Sequence, residues 1–492
     1  MKYLFAIFLV FSLGLSAFAV DIPSRPEKLK FPELKYEPPK GSDYRVELKS
    51  GPVAFLVPNR ELPLISISIL VRTGKYNEPK GKEGLAAMTG YLLSKGGTKS
   101  HSAEALEERL AFLAAGLSSN IGDTSGSVGV NLLSKDLEEG LAILREVLTV
   151  PRFQRDRFDL YKTQQIQSMK QRNDDSRNIE RRELVRLAYG DHFFRSQSPT
   201  KASIDSITES DLRSFHRDWF HPDNFVVSVS GDFDRKEMVL KLEKLFSDWS
   251  PKGKTAKPVP TNKKFAKAGV YIVDKEVNQG RVDIMLPGIM RDNPDYYAVQ
   301  IMNDILGGGG FTSRITNRVR SDEGLAYSAY SYCPGGTYFP RTFVAGYQSK
   351  SRTVLYAAQI VLEEMRKITQ EEVTDKEIET AKASYIQTFP QAFETKGAIA
   401  STFASEEFTG RLSNNPNYFG SFRSKIRAVT KADVQRVAGK YLTPDKVAIL
   451  IIGDKEEILK GHSDHLVNVD SLTSGGVKDI PMRDPFTLQP LK

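Results

Sequence analysis

Asp211 to Asp232 reads DLRSFHRDWFHPDNFVVSVSGD, and Asp433 to Asp454 reads DVQRVAGKYLTPDKVAILIIGD. The two stretches align without a gap. Asp211 matches Asp433, Trp219 matches Tyr441, Pro222-Asp223 matches Pro444-Asp445, and Gly231-Asp232 matches Gly453-Asp454. Each copy predicts the same unit: a helix, a Pro-Asp turn, then a β-branched strand ending at Gly-Asp. Ile207-Thr208 and Val429-Thr430 carry the match upstream, each Thr placed to cap its helix. A match this long makes the chain a duplication.

Outward from the first copy, Val53–Val57 and Leu64–Val71 read as strands, and Ser125–Leu133 alternates as a third. Residues 84–96, 104–113 and 136–148 carry apolar residues at helical spacing. Consecutive strands followed by helices predict an α+β fold: two homologous halves of mixed or antiparallel β-sheet packed with helices. The stretch SPKGKTAKPVPTNKKFAK, from Ser250, is rich in Pro and Lys and reads as a solvated linker. Its basic run lacks the interleaved aromatics of a nucleic-acid surface, so no nucleic-acid partner is expected. The boundaries follow: an N-terminal arm over 20–43, a first half over 44–249, a linker over 250–268, a second half over 269–459, and a polar, peripheral tail over 460–492.

The opening residues, MKYLFAIFLVFSLGLSAFA, have the form of a secretory signal peptide, 1–19, with an Ala-x-Ala cleavage site. The apolar run is shorter than the roughly 20 residues of a membrane span. Export across the inner membrane to a bacterial periplasm is therefore expected, with no stable membrane anchor after cleavage. With 492 residues, 40% hydrophobic and 26% charged, the chain is neither disordered nor fibrous. Its formal charge of +8 predicts no partner by itself. The single Cys excludes an internal disulfide and a thiolate metal cluster.

The stretch Gly84 to Thr98, GLAAMTGYLLSKGGT, resembles the zinc helix of the M16 peptidases, the family of pitrilysin and mitochondrial processing peptidase. That family carries H-x-x-E-H in a frame that Gly84, Leu85, Ala86, Leu93, Lys95, Gly96 and Thr98 keep. Two His one turn apart on a helix hold the zinc, and the Glu is the general base. Here Ala87 and Tyr91 stand for the two His and Gly90 for the Glu. The helix YKTQQIQSMKQR, where the family has a third ligand, offers Gln167 and Ser168 and no acid. The resemblance implies a degenerate zinc motif with no metal in this chain. Of the other histidines, His216 and His221, and His462 and His465, read as surface or helix-end residues.

The second half differs. Gly307–Gly310, Ser313-Arg314, and Arg320-Ser-Asp-Glu-Gly-Leu-Ala-Tyr327 resemble the family's C-terminal signature, with Ile315 in place of Leu. In active members this Arg and Tyr hold the substrate backbone and the oxygen that becomes negative. The resemblance implies the same clamshell fold, substrate contact by Gly308, Gly309 and Gly310, and transition-state contact in trans by Arg320 and Tyr327. It also implies a heterodimer with a zinc-bearing M16 paralogue that cleaves a peptide substrate. The alternative is an inert M16 scaffold or peptide-binding protein. An independent hydrolase has no support: there is no G-x-S-x-G, and Cys333 has no neighbouring His in sequence.

Overall fold

The computed structural model describes residues 24–25, 28–29, 35–249, 253–262 and 264–491, and the stretch 1–19 read as a signal peptide lies outside them. The chain divides into a short unit, Met1–Glu37, and Pro38–Lys492, which holds both sheets. The first half runs β1 (Arg45–Glu47), β2 (Val53–Pro58), β3 (Leu64–Val71), α1 (Leu85–Lys95), α2 (Ala103–Phe112), β4 (Gly116–Ile121) and β5 (Gly126–Leu133). It continues through α3 (Leu137–Thr149), α4 (Arg155–Lys170), α5 (Ser176–Tyr189), α6 (Glu209–Trp219), β6 (Phe225–Gly231) and α7 (Arg235–Phe246). The second half begins β7 (Gly269–Asp274), β8 (Gln279–Pro287), α8 (Tyr296–Asn303), β9 (Ala326–Tyr332) and β10 (Thr342–Lys350). Then follow α9 (Val354–Gln370), α10 (Asp375–Thr388), α11 (Lys396–Phe408), α12 (Tyr418–Ala428), α13 (Lys431–Tyr441), β11 (Ala448–Gly453) and, in the tail, β12 (Val477–Asp479).

The sheets have six strands each, in the orders β1-β2-β6-β3-β5-β4 and β12-β7-β11-β8-β10-β9. Both are mixed. The pairs β2–β6 and β7–β11 are parallel, while β3 and β8 run antiparallel to the central strand beside them. The α+β class expected from the repeat is the observed one. Strand β4 was not foreseen, because GLSSNI at a sheet edge has weak β propensity and buries only its last residue.

The duplicated unit folds identically in both halves. Thr208 and Thr430 each accept a hydrogen bond from the backbone of the Asp three residues on, and that Asp returns one to the Thr backbone by accepting from its N–H. These reciprocal caps satisfy two orphan N–H groups at each helix start. Pro222 and Pro444 open tight helical turns that aim the chain into β6 and β11.

Those two strands lie near the middle of their sheets, and their apolar residues are buried on both faces. A strand of this kind needs cover above and below. Each half covers one face with its own helices, and the opposite half supplies a helix for the other. Helix α5 of the first half lies on β8 and β11, with Ile179 in one cluster with Val273, Met285, Leu450 and Ile452. Helix α11, its counterpart, lies on β2, β3 and β6. There Phe403 stacks on Phe55 and Tyr44, with ring centroids 6.1 Å apart in each case. Polar contacts pin the exchange: Arg45 pairs with Glu407 at 2.9 Å, and Arg72 donates to the Phe408 carbonyl.

The tail also crosses between halves. After β12 pairs with β7, Arg172 donates to Pro485 O at 3.0 Å and the Lys201 N–H donates to Phe486 O at 2.9 Å. Truncating the exchanged ring is expected to cost about 3–5 kcal/mol, so Phe403→Ala should lower the urea midpoint sharply. Leu240→Ala, at a side chain 70% exposed, should change stability by no more than about 0.5 kcal/mol.

Candidate functional site

Helix α1 carries the three positions of the degenerate motif. Ala87 is exposed and Gly90 is buried. Tyr91 is half-buried, its ring 4.8 Å from that of Tyr161 on α4. Gly90 sits where α1 presses on β4: a Cβ there would stand 2.4 Å from the Ile121 nitrogen and 2.8 Å from the Asn120 carbonyl carbon. No side chain fits without moving the strand. The close approach is sealed by Ser119, whose hydroxyl donates to the Gly90 carbonyl.

These residues do not fit a zinc ion. Ala87 and Gly90 bring no donor atom, and a tyrosine phenol is not among the usual zinc ligands. Gln167 and Ser168 are exposed on α4 and bring no carboxylate. Near α1, the carboxylate of Glu78 is spent on the helix start, accepting from Gly84 N at 3.1 Å and Ala86 N at 2.8 Å. Burial pushes Glu78 up to about 7. Among the described residues, no group of three or more His, Cys, Asp or Glu could hold a metal.

The histidines of the repeated unit stand at the helix end, as the sequence reading allowed, but not at the surface. His216 and His221 are buried. His216 bonds the Leu148 carbonyl at 3.0 Å and stacks on Phe220, and burial drives it down to about 4. Burial among aromatic rings holds it neutral, against the opposing pull of the Leu148 carbonyl. His465 stacks on Tyr356 at 4.1 Å. Cys333 is buried, its thiol pushed up to about 12 by burial, and so is no nucleophile at neutral pH.

The second-half residues do converge. After α8 the chain passes through a wide helical turn, Asp304–Gly308, and a tighter one, Gly310–Thr312. These present Phe311, 65% exposed. Arg320 lies near the end of the next helical stretch, Asn317–Asp322. Gly324, at φ 63°, then turns the chain so that Tyr327 at the start of edge strand β9 returns beside it. The Arg320 guanidinium lies 4.5 Å from the centroids of both Phe311 and Tyr327. This cation–π sandwich is worth about 0.5–1 kcal/mol per ring at an exposed site, enough to bias the side chain's orientation. Tyr327 is 84% exposed. Of the glycines, Gly307 packs against Ser331, Gly308 and Gly309 lie over Asn303 and Asp304, and Gly310 has open space where a Cβ would stand.

Tyr327 also borders a cavity of about 430 Å³ between α5 and the edge of the second sheet, lined by Arg177, Glu180, Arg281 and Tyr330 among others. Arg281 on β8 donates to Ser176 at 3.1 Å and to Glu180 at 3.4 Å. Two positions along β8, Asp283 is buried, and its Oδ2 has no hydrogen-bond partner. Burial first, then the Glu180 charge, raises the Asp283 carboxyl well above the usual carboxylate range, while Arg281 opposes. Burial pushes Tyr330 up to about 12. Sequence reasoning missed this group. Its one visible signal is an acid inside the apolar strand QGRVDIMLP.

A carboxyl whose pKa is raised by folding favours the folded state at low pH, and that advantage is lost as pH climbs through the folded value. Glu180, Arg281 and Tyr330 face this group. Asp283→Asn removes the titration, so it should raise Tm relative to the parent more at pH 8 than at pH 4. An equal offset at both would contradict the assignment.

Two family models match the chain: the insulinase-type M16 peptidase domain over residues 56–196, and the peptidase M16 inactive domain over 206–385. A Helicobacter pylori protein named non-peptidase homolog YmxG is 25% identical over 366 residues, 73% of this chain and 80% of its own. A Bacillus subtilis protein named uncharacterized zinc protease YmxG is 22% identical over 412 residues, 83% of this chain and 97% of its own. The crystal structure of a peptidase M16 inactive domain from Pseudomonas fluorescens superposes with a TM-score of 0.73 at 22% identity, covering 83% of this chain and 97% of that one.

Proposed function

The chain belongs to the M16 peptidase family, and from that premise we propose that it is the zinc-free subunit of a two-chain peptidase. In this reading it is exported to the periplasm and pairs with a zinc-bearing M16 paralogue. It supplies Arg320 and Tyr327 to a peptide held at the partner's zinc. The observation that carries the reading is the contrast between its two motifs. Ala87, Gly90 and Tyr91 cannot ligate, and Gly90 has no room for a base, whereas Arg320 and Tyr327 stand together and Tyr327 faces outward.

The chemistry suits the placement. Arg320 offers a permanent forked cation, and Tyr327 a directed hydroxyl donor for a carbonyl oxygen that gains negative charge. Phe311 and Tyr327 orient the guanidinium without neutralising it, so its charge remains available to a substrate. In this reading Gly308, Gly309 and Gly310 lend backbone to an extended peptide, and Gly310 has open space beside it. The zinc belongs to the partner, and no step requires a metal in this chain.

The second reading is an inert scaffold. It is favoured by the same sandwich, since Arg320 already has two partners within its own chain, and by the name of the Helicobacter relative. Tyr327→Phe separates the two, because it keeps the ring against Arg320 and removes only the hydroxyl. In a purified mixture with a zinc-bearing paralogue, Tyr327→Phe and Arg320→Ala should each lower kcat/KM for a peptide by about 10²–10³ with the complex intact. Unchanged kinetics in both variants would favour the scaffold.

A further inference from the structure

A second cavity lies elsewhere along α5. It has a volume of about 490 Å³ between α4, α5, the segment 195–199 and the returning tail. Four guanidinium side chains line it, Arg172, Arg181, Arg182 and Arg195, with Asp123 as the only acid in its wall among the described residues. Asp123 is already paired with Arg195 at 2.8 Å. Around the cavity the balance is no more acidic. Buried Glu183 serves three guanidinium groups, those of Arg182 at 2.9 Å, Arg483 at 2.9 Å and Arg186 at 3.9 Å. Arg172 has the Pro485 carbonyl as its hydrogen-bond acceptor, and burial together with the Arg182 charge lowers its pKa.

Arg182 is the distinguishing group. Its side chain is only 9% exposed. Nε donates to Glu183 at 2.9 Å and Nη1 to Asn173 at 3.2 Å, but Nη2 is buried with no partner. A buried, unpaired guanidinium N–H is costly unless something accepts from it. The excess of positive charge in the walls means that the natural acceptor is an anion. Forked guanidinium groups match the oxygens of carboxylates and phosphates. Ser168 and Asn178 add uncharged hydrogen-bonding groups to the wall.

We propose that this cavity is an oxyanion site, in which the guanidinium groups of Arg172, Arg181 and Arg182 bind the carboxylates of an acidic peptide segment or inorganic phosphate. The site is separate from Arg320 and Tyr327 and does not depend on a partner chain or a metal. It gives the protein a means of holding an acidic stretch of polypeptide, or of responding to phosphate, through α5.

The test uses the full mature chain alone and titration calorimetry at low salt, with three probes: an acetylated tri-glutamate, the matching tri-glutamine amide, and inorganic phosphate. Saturable binding of tri-glutamate or phosphate, with none of the tri-glutamine amide, is expected. Binding of tri-glutamate alone assigns the carboxylate source, and binding of phosphate alone assigns the inorganic one. Arg182→Gln should weaken binding roughly tenfold or more. Because Arg182 also holds Glu183, exposed Arg181→Glu serves as the second variant and should weaken binding at least as much with the fold intact. Arg217→Glu, at a site outside the cavity wall, should leave affinity unchanged. Failure of both anionic probes to bind, equal binding of the tri-glutamine amide, or unchanged affinity in Arg181→Glu would overturn the proposal.

Discussion

The exchange of α5 and α11 between the two halves is the contact on which the rest of the molecule depends. A central strand such as AILIIG has no polar face to turn to water, so an uncovered sheet would expose a wide apolar surface. Neither half can cover itself on both sides with the helices it has. Each lends one helix, and Ile179 and Phe403 become core residues of the opposite sheet. The duplication thus yields two sheets that need each other, which is why the returning tail and the Arg45–Glu407 pair also tie across the same boundary.

The exchange also determines where the cavities lie. Helix α5 is a first-half helix that carries Arg177 and Glu180 to the edge of the second sheet, beside Tyr327. Farther round, the same helix turns Arg181 and Arg182 toward the arginine-lined cavity. Both cavities are therefore composite, built from residues far apart in sequence. By contrast, the degenerate motif on α1 lies within one half, where Gly90 lets helix and strand approach to backbone contact. That approach closes the space a general base would need, so restoring one residue would not restore a metal centre.

The duplication was legible because helix caps, Pro-Asp turns and β-branched runs are local signals, and both copies carry them in register. The α+β class followed from the order of those signals. The helix exchange was not legible, since nothing within LAILREVL or FVVSVSG states which half supplies the second layer. Asp283 and Arg182 were missed for the same reason: a buried acid in a strand or one Arg among several acquires meaning only from what packs over it. The burial of His216 at its helix end was not foreseen, because nothing in its helix shows that the ring stacks on Phe220 and bonds a backbone carbonyl. Arg320 and Tyr327 were singled out by their flanking frame, and the structure places Phe311 on the other side of the guanidinium.

The central claim is a division of labour, with this chain providing a substrate wall and a partner providing the metal. The zinc content of the chain alone, and of its purified complex with a zinc-bearing paralogue, tests that claim most directly. The account predicts no bound zinc in the isolated chain and one zinc per heterodimer. One zinc bound to the isolated chain, or two per heterodimer, would contradict it.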